Sequence, residues 1–264
     1  MGDKRPVARS GRNEGYTDYS TGLPPQEGRG MLSPDIQPPR QCKFLDRVAT
    51  LKNVFTPEEC NQIINTGLND WRKEEAQIQR DKPGQIEQNF EDDFDYRNVT
   101  LFIPPPTKPN EGPHQDHWLF DKILGGIMNF NNNEVGYQFN IHGLAEPPNL
   151  MRYQAPDINP NGKAGKYDWH MDVGPGPVPS MRKISYSLLL NPGEYEGGEL
   201  CFHIGRNLDI PHPGQDTIGS LIVFPSYLVH KVTPVTKGTR YAICLLYTSP
   251  SPRDATLSRM QSSA

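Results

Sequence analysis

The residue types able to do chemistry are concentrated in the second half of the chain. In Tyr167-Asp168-Trp169-His170-Met171-Asp172 a histidine and a carboxylate stand two positions apart, and His230 follows much later in a short apolar run. On a strand, residues i and i+2 face the same side, so His170 and Asp172 project together. A third ligand from another strand would complete two histidines and one carboxylate. That facial set leaves coordination positions open, as in non-haem Fe(II) oxygenases. Each part alone is weak: an HxD pair also arises by chance on a surface strand, and a histidine in an apolar strand also serves as a satisfied core residue. Structural zinc asks for four closed ligands, and only three are visible.

Arg240 extends the set. It stands beyond His230, across Thr236-Lys237-Gly238. A hairpin centred on Lys237 would pair Pro234 with Arg240 and His230 with Cys244, bringing 230 and 240 to one face. Their separation would be about 13 Å at roughly 3.3 Å per residue, the reach of a metal-chelating dicarboxylate plus an extended arginine. A guanidinium can grip a terminal carboxylate through two parallel hydrogen bonds. A purely structural arginine would point into solvent.

The elements that must position these residues are short strands. Asn149–Tyr153, Tyr167–Asp172, Ile184–Leu190, Glu199–Ile204, Ser220–Phe224, Leu228–Val235 and Arg240–Leu246 read as strands, separated by turn chemistry such as Asn191-Pro192-Gly193 and Pro213-Gly214. Upstream, Thr56-Pro57-Glu58-Glu59 signals a capped helix start, with Ile63, Ile64, Leu68 and Trp71 at helical spacing to about Arg72. The stretch from Lys73 to Asp95 reads as a solvated loop and Tyr96–Ile103 as a strand. His117–Phe130 reads as a second helix and Tyr137–Ile141 as a half-buried strand. The fold class is therefore mostly β with flanking helices (α+β): two leading helices packed on a jelly roll.

Residues 1–44, with six prolines and six glycines, are expected to be a disordered leader. The domain is expected over 45–246. The segment 247–264 is rich in Ser, Thr, Pro and Arg. Its start, Tyr-Thr-Ser-Pro-Ser-Pro-Arg-Asp, resembles a translated sequencing adapter, so it is expected to be a non-native, unstructured tail that adds no strand.

Composition narrows the function classes. The chain has 264 residues, with 27 Lys plus Arg against 31 Asp plus Glu and a net charge of -4. Nothing here draws the chain generally to a phosphate backbone, and no nucleic-acid partner is expected. Apolar runs fall far short of the about 20 residues that a membrane span needs. No apolar stretch follows the basic start, so a cytoplasmic location is expected. Gly and Pro make about a fifth of the chain, against roughly 12% on average, which excludes a helical bundle. Cys42, Cys60, Cys201 and Cys244 form no CxxC pair and are expected to be idle thiols.

Taken in order, Tyr167-Asp-Trp-His170-Met-Asp172, Gly197-Gly198-Glu199-Leu200, Phe224-Pro225-Ser226 with His230, and Lys237-Gly-Thr-Arg240-Tyr241 resemble the prolyl 4-hydroxylase-like 2-oxoglutarate/Fe(II) oxygenases, and within them the bacterial and phage PKHD-type hydroxylases. The resemblance covers about 45–246 and is strongest from Asn149 onward. It implies a double-stranded β-helix, and it implies Fe(II) as metal, held by His170, Asp172 and His230. 2-Oxoglutarate and O2 would be co-substrates, with ascorbate as a reductant. Arg240 would pair with the distal carboxylate of 2-oxoglutarate and Tyr153 would hydrogen-bond to the same molecule. Tyr167 and Trp169 would line the substrate side, although a plain core role for either tyrosine stays open. The implied reaction hydroxylates a C–H bond of a peptide, protein or small molecule, a peptidyl proline above all, and turns 2-oxoglutarate into succinate and CO2. The rivals are a nucleic-acid demethylase of the same superfamily and a non-catalytic jelly-roll binding module. The long loop 154–166 departs from compact members and would reshape the substrate mouth. His114, His117, His142, His203 and His212 match no ligand position.

Overall fold

A computed structural model describes residues 47–80, 89–105, 117–141, 143–144, 147–174, 179–204 and 207–248. The expected leader and the tail from 249 onward lie outside these residues. In chain order the elements are β1 (Ala49–Leu51), α1 (Pro57–Asp70), β2 (Arg72–Glu75), β3 (Ile78–Arg80), β4 (Asn89–Glu91), β5 (Arg97–Asn98), β6 (Thr100–Ile103) and α2 (His117–Asn132). Then follow β7 (Gly143–Leu144), β8 (Asn149–Gln154), β9 (Lys166–His170), β10 (Arg182–Leu189), β11 (Tyr195–Gly197), β12 (Leu200–Ile204), β13 (Asn207–Pro211), β14 (Leu221–Pro225), β15 (His230–Val232) and β16 (Val235–Thr248).

Two antiparallel sheets face each other. The larger runs β1-β14-β10-β16-β8-β6-β2, with β7 and β11 also on β16, and the smaller runs β13-β12-β15-β9-β5. The central strands β10 and β14 are buried on both faces, so alternate residues serve two cores. Leu221, Val223, Ile184, Leu188, Ile243 and Leu150 join a core with the helix residues Cys60, Ile63, Leu119, Ile123 and Ile127. Ile222, Phe224, Leu189 and Tyr153 turn the other way, toward Leu200, Phe202 and Val232 of the smaller sheet. At Gly67 of α1 an added Cβ would stand 2.4 Å from Leu150 Cδ2, so the absence of a side chain there sets how closely the helix lies on the sheet.

Helix α1 begins as the sequence reading expects. Thr56 Oγ1 accepts from the Glu59 amide, and the Glu59 carboxylate accepts from the Thr56 amide at 2.7 Å. The same carboxylate accepts from Lys122 of α2 at 2.6 Å, which ties the two helices together.

Several expectations are corrected. The loop expected over Lys73–Asp95 contains β3, β4 and most of β2, whose edge runs along β6 from Arg72↔Ile103 to Glu75↔Thr100. Cross-strand ladders override the polar composition there. Tyr96–Ile103 is split, with β5 in the smaller sheet and β6 in the larger. Tyr137–Ile141 is not a strand, although Tyr137 and Ile141 are buried. Gln138 has φ 55°, and the Asn131 side chain accepts from the Phe139 N–H at 3.0 Å and donates to its carbonyl at 2.9 Å. One side chain thus replaces the neighbouring strand.

The expected hairpin between His230 and Arg240 is also absent. Thr236-Lys237-Gly238 lies within β16 and pairs with β11, Glu196 opposite Lys237. The chain changes sheets between Val232 and Val235, at Thr233-Pro234, where a proline has no ladder N–H to lose. His230 and Arg240 therefore belong to opposite sheets. The tail expectation fails at its first two residues: Tyr247 and Thr248 pair with Leu144 and Gly143 of β7 and with Ile184 and Arg182 of β10. The ladder partners on both sides outweigh the lack of further alternation.

Two outcomes follow from these contacts. A chain ending at Leu246 should have a lower denaturant midpoint than one ending at Thr248, by on the order of 1–2 kcal/mol for the lost ladder bonds. Glu59 is held below its ordinary carboxylate value of 4.5 by the Lys122 hydrogen bond and then by the Thr56 amide. Its stabilising contribution is complete above that value and is lost as pH falls through the depressed folded value. Glu59→Gln should thus be less stable than the parent near neutrality, and denaturant midpoints measured down to about pH 3 should converge.

Candidate active site

The site lies between the sheets. His170 ends β9 and His230 begins β15, directly opposite each other in the antiparallel pair, with ring centroids 4.1 Å apart. Asp172 follows two residues after His170, just beyond the strand end. Its Oδ1 is 3.7 Å from His170 Nε2 and its Oδ2 is 3.5 Å from His230 Nε2. One ligand atom from each of the three lies within 4.8 Å of the others.

Hydrogen bonds fix which atoms face inward. His170 Nδ1 is 2.7 Å from the Asp168 carbonyl, and His230 Nδ1 is 2.9 Å from the Leu228 carbonyl. A carbonyl only accepts, so each Nδ1 carries the proton and each Nε2 presents a lone pair. Burial, and then the neighbouring His230, push His170 down to about 3, so the ring is neutral. Burial alone would raise Asp172, but the two imidazoles, Ser185 and Arg182 outweigh it and hold the carboxyl below its ordinary range. Two imidazole nitrogens and one carboxylate suit a divalent metal of the Fe(II) type.

Asp172 is anchored from three sides. Its amide donates to the Ser226 carbonyl at 3.0 Å. Its own carbonyl accepts from Arg182 Nη1 at 2.8 Å. Ser185, beside the carboxylate, donates to Ser226 Oγ at 2.9 Å. The Phe224-Pro225-Ser226 segment is thus the support under the carboxylate.

A cavity of about 360 Å³ opens from this cluster between the sheets, walled by Leu200, Phe224, Val232, Tyr153, Ser187 and Cys244 among others. Arg240 lies just behind that wall in β16, opposite Tyr153 of β8, and is 1% exposed. Its Nη2 is 3.4 Å from Ser187 Oγ and its Cζ sits 5.0 Å from the Tyr153 ring centroid. Its Nε and Nη1 are buried without hydrogen-bond partners. A guanidinium with idle donors so deep inside costs stability unless an anion meets it. Gly198 makes room for it: with φ +65°, an added Cβ would stand 2.9 Å from both Arg240 Cδ and Val235 Cγ2.

The other expected residues divide. Tyr153 reaches the cavity, with its hydroxyl on the weak acceptor Met151 Sδ at 3.3 Å. Burial raises its pKa, keeping it a donor. Tyr167 also lines the cavity and stacks on His170, centroids 3.5 Å apart and planes 13° from parallel. Trp169 does not reach the cavity. It turns to the other face of β9, under Lys231 Nζ at 4.6 Å and beside His203; alternation sends neighbours of an inward His170 outward. Residues 155–165 do not line the cavity either. That loop instead clamps β5, with Asn98 Nδ2 donating to the Lys163 and Ala164 carbonyls at 3.0 Å.

Sequence reading overlooked Arg97, Arg182 and Ser187, and named Gly198 only as part of a motif. A signal existed for the serines, since Ser185 and Ser187 occupy alternate positions of an otherwise apolar strand. Of the remaining histidines, His117 pairs with Asp121 and His212 with Thr50, while His114 and His142 lie outside the described residues. Cys60 and Cys244 are free thiols. No described helix is long and apolar enough to cross a membrane.

Comparison with known proteins agrees with this geometry. Residues 150–248 match the model of the 2OG-Fe(II) oxygenase superfamily. A PKHD-type hydroxylase of Nitrosomonas eutropha is 30% identical over 148 residues, 52% of this chain and 57% of that protein. One from Xylella fastidiosa strain 9a5c is 38% identical over 102 residues, 35% of this chain and 43% of that protein. The chain spans about half the length of the curated relatives it matches. A prolyl-4-hydroxylase of Pseudomonas putida shares the fold at TM-score 0.51 and 14% identity, over 78% of this chain and 94% of that one. So does a prolyl hydroxylase of Trichoplax adhaerens, solved with a hypoxia-inducible-factor peptide, at TM-score 0.53 and 17% identity, over 76% and 83%. The fold is that of the double-stranded β-helix, and residues 150–248 are similar to the 2-oxoglutarate/Fe(II) oxygenases and to the PKHD-type hydroxylases.

Removing one ligand from three should leave an exchange-prone site. His170→Ala should lose stoichiometric Fe(II) binding in anaerobic titration while its denaturant midpoint stays measurable, since His230, Ser185 and Arg182 remain beside the buried Asp172 carboxylate.

Proposed function

We propose that the chain is a 2-oxoglutarate- and Fe(II)-dependent dioxygenase that hydroxylates a C–H bond of a peptide or small-molecule substrate, peptidyl proline being the first candidate. The observation that carries this is the pairing of a His170/Asp172/His230 donor set with the buried, underused donors of Arg240 across the same interior. A binding module would have no use for a guanidinium kept at 1% exposure with two idle nitrogens.

When bound, the iron would couple activation of O2 to decarboxylation of 2-oxoglutarate to succinate and so supply the oxidation. The protein's part is positioning. His170, Asp172 and His230 would hold the metal on one side and leave the cavity side open. Arg240 would take the distal carboxylate of 2-oxoglutarate through charge-assisted hydrogen bonds from its guanidinium. The Tyr153 hydroxyl, on only a thioether at 3.3 Å, can turn to donate to the same carboxylate. Leu200, Phe224 and Val232 keep water from the walls. Tyr167, flat against His170, would hold that ring and border the substrate. PKHD-type relatives and the fold of prolyl hydroxylases support this choice of substrate class.

Arg240→Ala should raise the KM for 2-oxoglutarate by the equivalent of about 2–5 kcal/mol, the usual cost of truncating one partner of a buried charge pair. Fe(II) affinity should change little, and Arg240→Lys should recover part of the loss. Co-substrate titration of succinate formation by folded protein reads the effect. A variant that loses stability but keeps the parent KM would assign Arg240 a structural role instead.

A further inference from the structure

Two guanidiniums, those of Arg97 and Arg182, line this cavity. Arg97 lies in β5, at the edge of the smaller sheet, opposite Tyr167 of β9. Its Cζ is 4.5 Å from the Tyr167 ring centroid, and that ring is in turn 3.5 Å from His170. A face covered at 3.5 Å by a parallel imidazole has no room for a guanidinium as well. Tyr167 is therefore sandwiched, with His170 on one face and Arg97 on the other. Asn98, the next residue, is 3% exposed and clamped by the loop carbonyls of Lys163 and Ala164, so β5 holds Arg97 on a fixed base.

The charge on Arg97 lacks a counterpart. Its Nη1 donates to the Gln77 carbonyl at 3.1 Å, and its Nε is buried without a hydrogen-bond partner. It forms no ion pair with a carboxylate among the described residues. Asp172 is the sole acid lining the cavity among the described residues. With a divalent metal and the 2-oxoglutarate dianion bound, those charges together with Asp172, Arg240 and the cavity-lining Arg182 sum to one positive. Arg97 adds a second positive charge beside the site. A cation at a partly dry wall is favourable only if an anion meets it.

We infer that Arg97 is a specificity-determining residue, and that the substrate carries a carboxylate close to the C–H bond to be oxidised. This rests on the oxygenase reading above and names its substrate class. The carboxylate can be that of a free amino acid or an acidic side chain next to the target residue in a peptide. Either would meet the guanidinium through charge-assisted hydrogen bonds.

The test uses the full chain loaded with Fe(II) and 2-oxoglutarate without oxygen, so that binding is read apart from turnover. The probes are matched pairs: L-proline, L-lysine and L-asparagine against their C-terminal amides, and capped tripeptides Ala-X-Glu against Ala-X-Gln, where X is Pro, Lys or Asn. Calorimetric titration should show at least tenfold tighter binding of the acid member in one series, and the series in which this appears identifies the source of the carboxylate. R97Q should bring that ratio close to one, by weakening the acid member only. R97K, which keeps the charge, should retain most of the preference and guards against a folding defect in R97Q. If 2-oxoglutarate binds but acid and amide members bind equally, or no acid member binds, or R97Q keeps the parent ratio, the inference is overturned while the oxygenase reading stands. If 2-oxoglutarate itself fails to bind, the reading is overturned and this inference with it.

Discussion

A cross-strand pair between two buried histidines organises this molecule. His170 and His230 stand opposite each other on β9 and β15, and each ring is locked by a hydrogen bond to a carbonyl two residues earlier in its own chain. That local lock removes the freedom of the imidazoles to flip, and it turns both lone pairs toward Asp172. Everything else in the site is arranged around this geometry. Phe224-Pro225-Ser226 supports the carboxylate, Tyr167 covers one imidazole, and β16 of the opposite sheet delivers Arg240 across the gap.

The cost of the arrangement is a polar interior. Three titratable groups and a guanidinium occupy space that a simple sandwich would fill with apolar side chains, and burial works against the charged forms of His170, Asp172 and Arg240. The fold offsets this by surrounding the gap with dense apolar packing. Strands β10 and β14 are buried on both faces, so the larger sheet is held by α1 and α2 on its far side independently of what the near side contains. Stability and chemistry are thereby placed on opposite faces of the same strands.

Two loops that look unrelated to the site have consequences for it. Gly197-Gly198 precedes β12 and provides the space in which the Arg240 side chain lies. The 155–165 loop stays out of the cavity but fixes β5, and through it Arg97. The position of a charge at the substrate side thus depends on backbone carbonyls at Lys163 and Ala164.

Much of the metal site could be read from the chain itself. His170 and Asp172 stand two positions apart and meet although β9 ends at His170, and the capping box at Thr56 and Glu59 is a purely local contact, so short-range spacing points to both. The route from His230 to Arg240 could not be read in the same way. A turn-like Thr236-Lys237-Gly238 suggested a hairpin, but ladder partners are chosen by competition among distant strands, and β16 went to β8 and β10 instead. The same competition drew Tyr247 and Thr248 into the sheet and made strands of polar residues at 72–75. Tyr137–Ile141 failed in the opposite sense, because the Asn131 side chain took the backbone bonds that a strand would need. Arg97 gave no sign in the sequence at all. Its meaning comes from where β5 lands, beside Tyr167 at the edge of a sheet whose other members are distant in sequence, and only the folded chain brings these charges to one cavity.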